Sequence, residues 1–460
     1  MRSSISSADF SPPMTFAAPG CSCPGSVPPA ACSPGCGCYG QRRTENMKLY
    51  IDPGTGSMLF AILIGIIGAL NFALRGWIIK LRFLLSGGEK TAVDQEKHPL
   101  AVFVDDKRYW NVMEPVCREL DRRGLDVAYL TASPDDPALQ NPYAHVHAEF
   151  LGEGNKAFAK LNFLRANVLL STTPGLDVYQ WKRSPGVDCY VHILHAANEV
   201  AGYRMFGIDY YDTVFVSGDY QIRDLRALEA LRGLPAKEVV KIGIPYMDEM
   251  KRRLDAAGPI APHRTTVLIA PSWGPSAIFS KYGGKIIDKL LAGGYHVIIR
   301  PHPQSYKSEK DMIDKLMAAY PDSEDLEWNR DNDNFDVLRR ADLLVSDFSG
   351  VIFDFTLVFD KPVIYADTKF DKSPYDCWWL DTPYWTFEIL PQIGQQLTED
   401  NFDTLGDMVQ QCLTDPKYAQ GRDTARAQTW VYPGEGAIRA ADYLEQKMKE
   451  LTATHEEKEP

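Results

Sequence analysis

The segment "LLVSDFSGVIFDF", residues 343–355, decides the fold of this chain. An apolar run, Leu343–Val345, stops at Ser346 and Asp347, and a corner of small residues, Ser349–Gly350, leads directly into a second apolar run. This order predicts a buried strand, a tight corner and the start of a helix. A helix N-terminus offers unpaired backbone N–H groups and a partial positive charge, which suit a phosphate. The segment therefore predicts an α/β fold with a phosphate-binding corner.

Strand-like and helix-like segments alternate through the rest of the chain. Segments with helical spacing, such as 110–124 and 220–233, lie between short apolar runs. These runs predict strands at 100–105, 126–132, 166–172, 189–195, 212–218, 237–245, 265–272, 295–303, 341–347 and 362–367. Near-continuous apolar strands separated by helices indicate parallel sheets that are covered on both faces. The sequence therefore predicts two Rossmann-like, doubly wound domains that face a cleft, with ligands at the carboxyl ends of the strands.

Composition divides the 460 residues into further segments. In chain order we expect a disordered Pro/Ser/Gly/Cys-rich extension, a membrane anchor, a first domain, a linker, a second domain, and a C-terminal helix with a tail. Their bounds are 1–46, 47–90, 91–253, 254–264, 265–430 and 431–460. Met47 opens a stretch typical of a natural protein start, so we expect the working protein to lack the extension. A metal site among the five cysteines of the extension is the alternative, although no histidine lies nearby.

A membrane helix is predicted near the N-terminus. The stretch Met58–Leu74 carries no charged residue and is about 17 residues long, the lower limit for a helix that spans a bilayer. Arg75, Lys80 and Arg82 follow among apolar residues, as in a helix that leaves the bilayer along an anionic lipid surface. This basic excess predicts that the main body lies on the cytoplasmic side of the cell membrane. A cleaved signal peptide and a buried soluble helix are the alternatives.

Three strand ends in the second half carry polar or small residues. Ser272–Trp273 follows one predicted strand, Pro301–His302–Pro303 the next, and Asp347, Ser349 and Gly350 the third. Because the carboxyl ends of parallel strands meet at one edge of a sheet, we expect these residues to bind substrate together. Helix capping by Asp347 or Ser349 and a simple turn at Gly350 are the alternatives.

Two histidines are candidates for catalysis. His302 lies between two prolines that restrict its backbone, and Arg300 would share its strand face, so that both side chains would stabilise phosphate charge. His195 ends a predicted strand and would face the cleft, where a pKa near neutrality suits a general base. His192, in the same strand, is better explained by packing.

Acidic residues give weaker indications. Asp354 lies one turn inside the helix predicted after the corner, and it is either a substrate-binding residue or a charge at the helix start. Asp331 and Asp333 resemble a metal-binding pair, but a solvated loop is favoured because the run around them is polar. No cofactor is certain, and a divalent metal stays open. The net charge of −12 argues against nucleic acid as a partner.

The motifs "APSW", "RPHP" and "ADLLVSDFSGVIFDF" followed by "KPVIY", with a histidine after a strand of the first half, point to one family. Together they resemble the CDP-glycerol glycerophosphotransferases that build teichoic-acid-type polymers, over roughly residues 190–370. The resemblance implies a GT-B fold, with the acceptor on the first domain and CDP-glycerol on the second. It also implies work at a membrane on a lipid-linked or polymeric acceptor.

The resemblance carries roles to individual positions. It makes His195 the catalytic histidine of the first half, brings His302 and Arg300 to the pyrophosphate, and brings Asp347 and Ser349 to the phosphate or glycerol end. The implied reaction is attack by an acceptor hydroxyl on the glycerol-bearing phosphorus, with CMP as the leaving group. Such a transfer needs positioning and charge stabilisation more than covalent help from the protein.

Some positions depart from the family's usual pattern. Gly350 stands at the second of two serines, Leu194 and Ala196 replace the tryptophan and glycine that flank the first histidine, and Gly274 stands where a basic residue is common. Two other functions stay open. One is a nucleotide-sugar glycosyltransferase of the same fold, and the other is a catalytically degenerate membrane scaffold.

Overall fold

The computed structural model of the chain describes residues 97–456, apart from 332 and 368. The predicted extension at 1–46, the predicted anchor at 47–90 and the apolar stretch Met58–Leu74 lie outside the described residues. Among the helices of the described part, none is long and apolar enough to span a membrane.

The first half contains a sheet of seven parallel strands. The strands of this sheet are β1 (His98–Val104), β2 (Val127–Thr131), β3 (Val146–Phe150), β4 (Arg165–Ser171), β5 (Gly186–Ile193), β6 (Thr213–Val216) and β7 (Glu238–Lys241). Their spatial order, β3-β2-β1-β4-β5-β6-β7, reverses direction between β1 and β4. This is the strand order of a doubly wound Rossmann domain with one strand added at the edge.

The second half repeats the arrangement with six parallel strands. They are β8 (Thr266–Ile269), β9 (His296–Ile299), β10 (Leu326–Trp328), β11 (Leu343–Ser346), β12 (Val363–Ala366) and β13 (Gly394–Leu397). In the order β10-β9-β8-β11-β12-β13, the reversal falls between β8 and β11. The corner that follows β11 therefore lies at the topological switch point, where open α/β sheets bind ligands.

Helices connect the strands and cover both faces of the sheets. In the first half they are α1 (Trp110–Arg122), α2 (Asn155–Leu161), α3 (Asp219–Arg232) and α4 (Pro245–Ala257). In the second half they are α5 (Ile278–Tyr282), α6 (Lys285–Ala292), α7 (Ser305–Ser308), α8 (Lys310–Ala319), α9 (Phe335–Arg340), α10 (Val351–Phe353), α11 (Trp385–Ile393), α12 (Leu405–Thr414), α13 (Pro416–Thr429) and α14 (Gly436–Glu456). Helix α10 continues as a π-helical turn, Asp354–Val358.

The predicted α/β class and the two parallel sheets are confirmed. The segment 237–245 was expected to be a strand throughout, but β7 ends at Lys241. Gly243 then turns the chain with a φ of 87°, and Pro245 occupies the first turn of α4, a position that suits proline. Three strands lack a predicted counterpart, namely β3, β10 and β13. All three lie toward sheet edges, where burial no longer demands a continuous apolar run.

Helix α14 returns to the first sheet after the second domain is complete. Its Ala440, Ala441 and Leu444 are fully buried and pack in one apolar cluster with Leu100 of β1 and Leu120 of α1. The C-terminal helix therefore contributes to the core of the first domain.

A buried contact joins the two halves beside the cleft. Glu199, six residues after β5, accepts hydrogen bonds from the backbone N–H and the hydroxyl of Thr386 at the start of α11. Tyr220 of α3 stacks on Trp385 with ring centroids 4.3 Å apart. Burial raises the pKa of Glu199 to about 7, against the effect of those hydrogen bonds.

Candidate functional site

A cavity of about 540 Å³ lies between the two sheets and takes residues from both. From the first half it is lined by Arg108, Tyr109, His195 and Asn198, and from the second half by His302, Gly350 and Asp354. Most of these residues follow strand ends, at β1, β5, β9 and β11. A volume in this range suits a ligand of nucleotide size. The structure thus brings four of the predicted site residues together: His195, His302, Gly350 and Asp354.

His195 is held by hydroxyl groups on the side of its Nδ1. Thr172 Oγ1 lies 3.3 Å from Nδ1, and Tyr203 Oη lies 3.2 Å from it. The ring of Tyr109 packs beside the imidazole, with centroids 5.1 Å apart. Burial, and to a smaller extent the charge of Arg108, lower the pKa of His195 to about 4. His195 is therefore neutral at physiological pH, with Nε2 as the ring nitrogen left for a ligand.

His302 is fixed by its own loop. Its Nδ1 accepts the backbone N–H of Gln304 at 3.1 Å, which places the ring proton of the neutral form on Nε2. Burial and the charge of Arg108 lower the pKa of His302 to about 4. The sequence predicted that His302 stabilises phosphate charge, and the structure favours a neutral ring that would do so by donating through Nε2–H. Trp273, which is 46% exposed, lies against it with ring centroids 6.4 Å apart.

Asp354 lies in the π-helical turn and forms part of the cavity wall. Tyr246, from α4, donates its hydroxyl proton to Asp354 Oδ1 at 2.7 Å. Burial raises the pKa of Asp354 to about 6, against the hydrogen bonds from Tyr246 and Asn334. π-Helical turns inside α-helices often occur at functional sites. A carboxylate in this position suits the hydroxyl groups of a ribose or of glycerol.

Asp347 holds the corner together from inside. It is 1% exposed, and its carboxylate accepts the backbone N–H groups of Ser272, Ile278 and Phe348 at 2.8–3.1 Å. Burial raises the pKa of Asp347, and these donors oppose that shift. Asp347 does not line the cavity, so the structure gives it a positioning role between the ends of β8 and β11. A direct contact between Asp347 and substrate stays a prediction.

Arg300 is turned away from the cavity. Its guanidinium donates to Asn329 Oδ1, after β10, and it does not line the cavity as His302 does. The predicted common strand face fails because β9 ends at Ile299, before either residue. Ser349 lies half-buried beside Gly350 without lining the cavity, and Ser272 has a buried hydroxyl that lacks a hydrogen-bond partner among the described residues.

Two of the departures from the family pattern face each other. A Cβ atom on Gly350 would lie 3.3 Å from Asn198 Oδ1 and 3.8 Å from the Cβ of Ala196. The first distance is closer than an ordinary contact, so the side chains at 196 and 198 occupy space that a larger residue at 350 would need. Asn198 Oδ1 is itself buried and has no hydrogen-bond partner within the described part of the chain.

Several site residues escaped the sequence analysis. Arg108 and Tyr109 lie in the short turn after β1, which ends at Val104, so inspecting the residues beyond each strand end would also have found them. Tyr246 reaches the cavity from a helix, whereas Tyr203 contacts His195 from a loop, and no local pattern marks either. Within residues 97–456, without 332 and 368, no group of three or more His, Cys, Asp or Glu side chains is placed to hold a metal ion.

Comparison with known proteins gives a family match over the end of the first half and most of the second half. The model of the family described as CDP-glycerol:poly(glycerophosphate) glycerophosphotransferase matches residues 208–432. His302, Gly350 and Asp354 lie inside this range, and His195 lies before it. No match is found among the curated proteins.

Two solved structures of the wall teichoic acid polymerase TagF with CDPG have a similar fold. The first shares 15% sequence identity, with 82% of this chain and 98% of that chain covered and a TM-score of 0.54. The second shares 16% identity, with 77% and 90% covered and a TM-score of 0.51. At these identities the likeness supports the two-domain α/β architecture, as the GT-B resemblance predicted. Residues 208–432 match the CDP-glycerol glycerophosphotransferase family, and the chain is a CDP-glycerol glycerophosphotransferase-like enzyme.

Proposed function

We propose that the protein transfers glycerol phosphate from CDP-glycerol to a hydroxyl of a lipid-linked or polymeric acceptor and releases CMP, in cell-surface polymer synthesis. The observation that carries the proposal is the pairing of His195 and His302 across one cavity, from opposite domains. One neutral imidazole offers a base and the other offers an N–H donor. The TagF structures hold CDPG, which supports this donor.

In the proposed reaction, the acceptor oxygen attacks the glycerol-bearing phosphorus. His195 Nε2 takes the proton of the acceptor hydroxyl as the new P–O bond forms. The bond from this phosphorus to the bridging oxygen breaks, and CMP leaves with that oxygen. His302 Nε2–H and the guanidinium of Arg108, which also bonds Asp106, both line the cavity and would hold the phosphate oxygens as their charge shifts. The carboxylate of Asp354 would accept hydrogen bonds from hydroxyl groups of CDP-glycerol.

The donor can be tested with the purified full-length chain. We expect release of CMP from CDP-glycerol when a teichoic-acid-type acceptor is present, measured by chromatography of the nucleotides. Matched incubations with UDP-sugars and GDP-sugars are expected to release no UDP or GDP. Release of either from a sugar nucleotide, without CMP from CDP-glycerol, would show a glycosyltransferase. No turnover with any donor would favour the scaffold.

We further propose that the protein works at the cytoplasmic face of the cell membrane, held by the stretch Met58–Leu74. We expect the full-length chain to float with anionic lipid vesicles in a density gradient. Replacing Ile66 and Ile67 by arginine should abolish flotation, because two charges in an apolar span of about 17 residues cost several kcal/mol. A matched Ile66→Leu, Ile67→Leu variant should float like the unchanged chain, and flotation of the arginine variant would refute this anchor.

A further inference from the structure

A row of hydrogen-bonded side chains lies behind His195. Tyr203 stands between two histidines, with its hydroxyl oxygen 3.2 Å from His195 Nδ1 and 3.0 Å from His192 Nε2. His192 is completely buried, and its Nδ1 has no hydrogen-bond partner among the described residues. Apart from Tyr203, the contact of His195 Nδ1 is Thr172 Oγ1 at 3.3 Å. The row therefore connects a cavity residue to a histidine that ligands do not reach.

Two hydroxyl groups bear on the tautomer of His195. Thr172 Oγ1 can donate to Nδ1 or accept from it, and Tyr203 can do the same, with a single proton that goes either to His192 or to His195. If Tyr203 donates its hydrogen bond to His192 Nε2, its oxygen can accept a hydrogen bond from His195 Nδ1–H, and His195 Nε2 keeps a free lone pair. If Tyr203 donates to His195 Nδ1 instead, Nε2 carries the ring proton and cannot accept another. Only the first arrangement leaves His195 able to act as a base toward the cavity.

We propose that Tyr203 is a positioning residue that holds His195 in the Nδ1–H tautomer by donating its own proton to His192. The inference rests on the proposed function, in which His195 takes the acceptor's proton. When the acceptor O–H bond breaks, the proton forms a bond to His195 Nε2, while Nδ1–H already donates to Tyr203. No hydrogen bond in the row changes, and no proton passes through Tyr203.

Among the described residues, the surroundings of His192 offer no strong acceptor for a proton on its Nδ1. The ring of Tyr211 packs against His192, with centroids 4.8 Å apart and planes tilted by 59°. An aromatic ring accepts an N–H only weakly, so a proton on Nδ1 carries a cost that the hydrogen bond from Tyr203 to His192 Nε2 must offset. The direction of the hydrogen bonds in the row, from His195 to Tyr203 to His192, is therefore set at Tyr203, because no strong acceptor lies at the buried end within the described part of the chain.

The test is Tyr203→Phe in the full-length chain, labelled with ¹⁵N-histidine. In the unchanged protein we expect the His195 signals, assigned with His195→Ala, to show a protonated Nδ1 and an unprotonated Nε2. In Tyr203→Phe they should move toward the Nε2–H form. The kcat for CMP release should fall by about tenfold or more, while KM for CDP-glycerol changes by less than about twofold.

Tyr211→Phe is the matched control. It removes another buried tyrosine hydroxyl that bonds the carbonyl of Thr173 and does not touch His195. We expect its His195 signals and kcat to stay unchanged. His192→Leu is the second variant, because it removes the acceptor and lets the Tyr203 proton turn toward His195 Nδ1. It should reproduce both effects of Tyr203→Phe.

An Nε2–H tautomer at His195 in the unchanged protein would overturn the proposal. So would signals and kcat in Tyr203→Phe that match those of Tyr211→Phe. The spectra need no donor, which separates this inference from the proposed function. If CDP-glycerol is not turned over but the His195 tautomer changes as expected, the positioning role stands and the donor assignment fails.

Discussion

Replacing His195 by alanine is expected to slow CMP release from CDP-glycerol by about 10²- to 10⁴-fold, the range that a general base contributes. In the proposed reaction this neutral imidazole is the base, and its Nδ1 is already hydrogen-bonded to hydroxyl groups. Its loss removes the group that takes the acceptor's proton but leaves the second domain intact. KM for CDP-glycerol should therefore change little, as steady-state kinetics with quantified CMP would show.

The pH dependence of the unchanged enzyme gives an independent check on His195. Because the pKa of His195 is lowered to about 4, its imidazole is already deprotonated at pH 5. Protonation of His195 should therefore lower kcat/KM only as the pH falls through about 4. Unfolding must be followed in parallel. Histidines in the unfolded chain have a pKa of about 6.5 and bind protons below that pH, whereas the buried histidines of the folded chain stay neutral down to about pH 4. The free energy of unfolding therefore falls as the pH falls from about 6.5 toward about 4. An acid limb near pH 6.5 in a folded enzyme would contradict this environment of His195.

His147→Ala is the matched control for His195→Ala. His147 lies on the edge strand β3 with a side chain that is 66% exposed, far from the cavity lining. It should keep the rate of the unchanged enzyme. A rate close to that of the unchanged enzyme in His195→Ala, with a normal circular dichroism spectrum, would remove His195 from the reaction.

Replacing His302 by alanine is the second change with a large expected effect. It removes the hydrogen-bond donor that we propose for the phosphates, and one such donor in a preorganised site is worth about 10²- to 10³-fold in kcat. Because the ring holds the donor in the ground state as well, we expect KM for CDP-glycerol to rise together with the fall in kcat. Steady-state kinetics over a range of CDP-glycerol concentrations will separate the two effects.

His302→Gln tests whether the Nε2–H donor is what matters. The glutamine amide can place an N–H near the position of Nε2 but cannot titrate, so this variant should retain more activity than His302→Ala. His296→Gln, at the opposite end of β9, serves as the control and should be unaffected. Equal losses in the glutamine and alanine variants would show that charge on a protonated ring, and not the neutral donor, supports the reaction.

The fold was predictable because the central strands are apolar runs with no polar face. Strands β8, β11 and β12 are buried throughout, and a chain that repeats such runs between helices has few other ways to bury them. The edge strands were missed for the same reason. In β13, "GQQL", two glutamines occupy a strand that needs only backbone pairing on one side, so its composition resembles that of a loop.

Site residues were predictable where they follow the end of a strand. They were not predictable where tertiary contacts decide which way the side chain points. His195 and His302 occupy strand ends, and the topology carries both to one cavity. Arg300 was expected beside His302 because alternation was extended past the end of β9, but its side chain follows the turn to Asn329. Asp347 was expected to meet substrate, which stays a prediction, but the sequence did not show that three backbone N–H groups would bond its carboxylate.

The return of helix α14 to the first sheet makes the two halves inseparable as modules. A fragment that ended at the linker would expose the apolar surface of β1 and α1 that Ala440, Ala441 and Leu444 cover. Recombination between relatives at the linker would likewise pair the first sheet of one protein with the C-terminal helix α14 of another. Exchange of acceptor specificity by swapping halves therefore requires the last 25 or so residues to travel with the first domain, as a discontinuous unit.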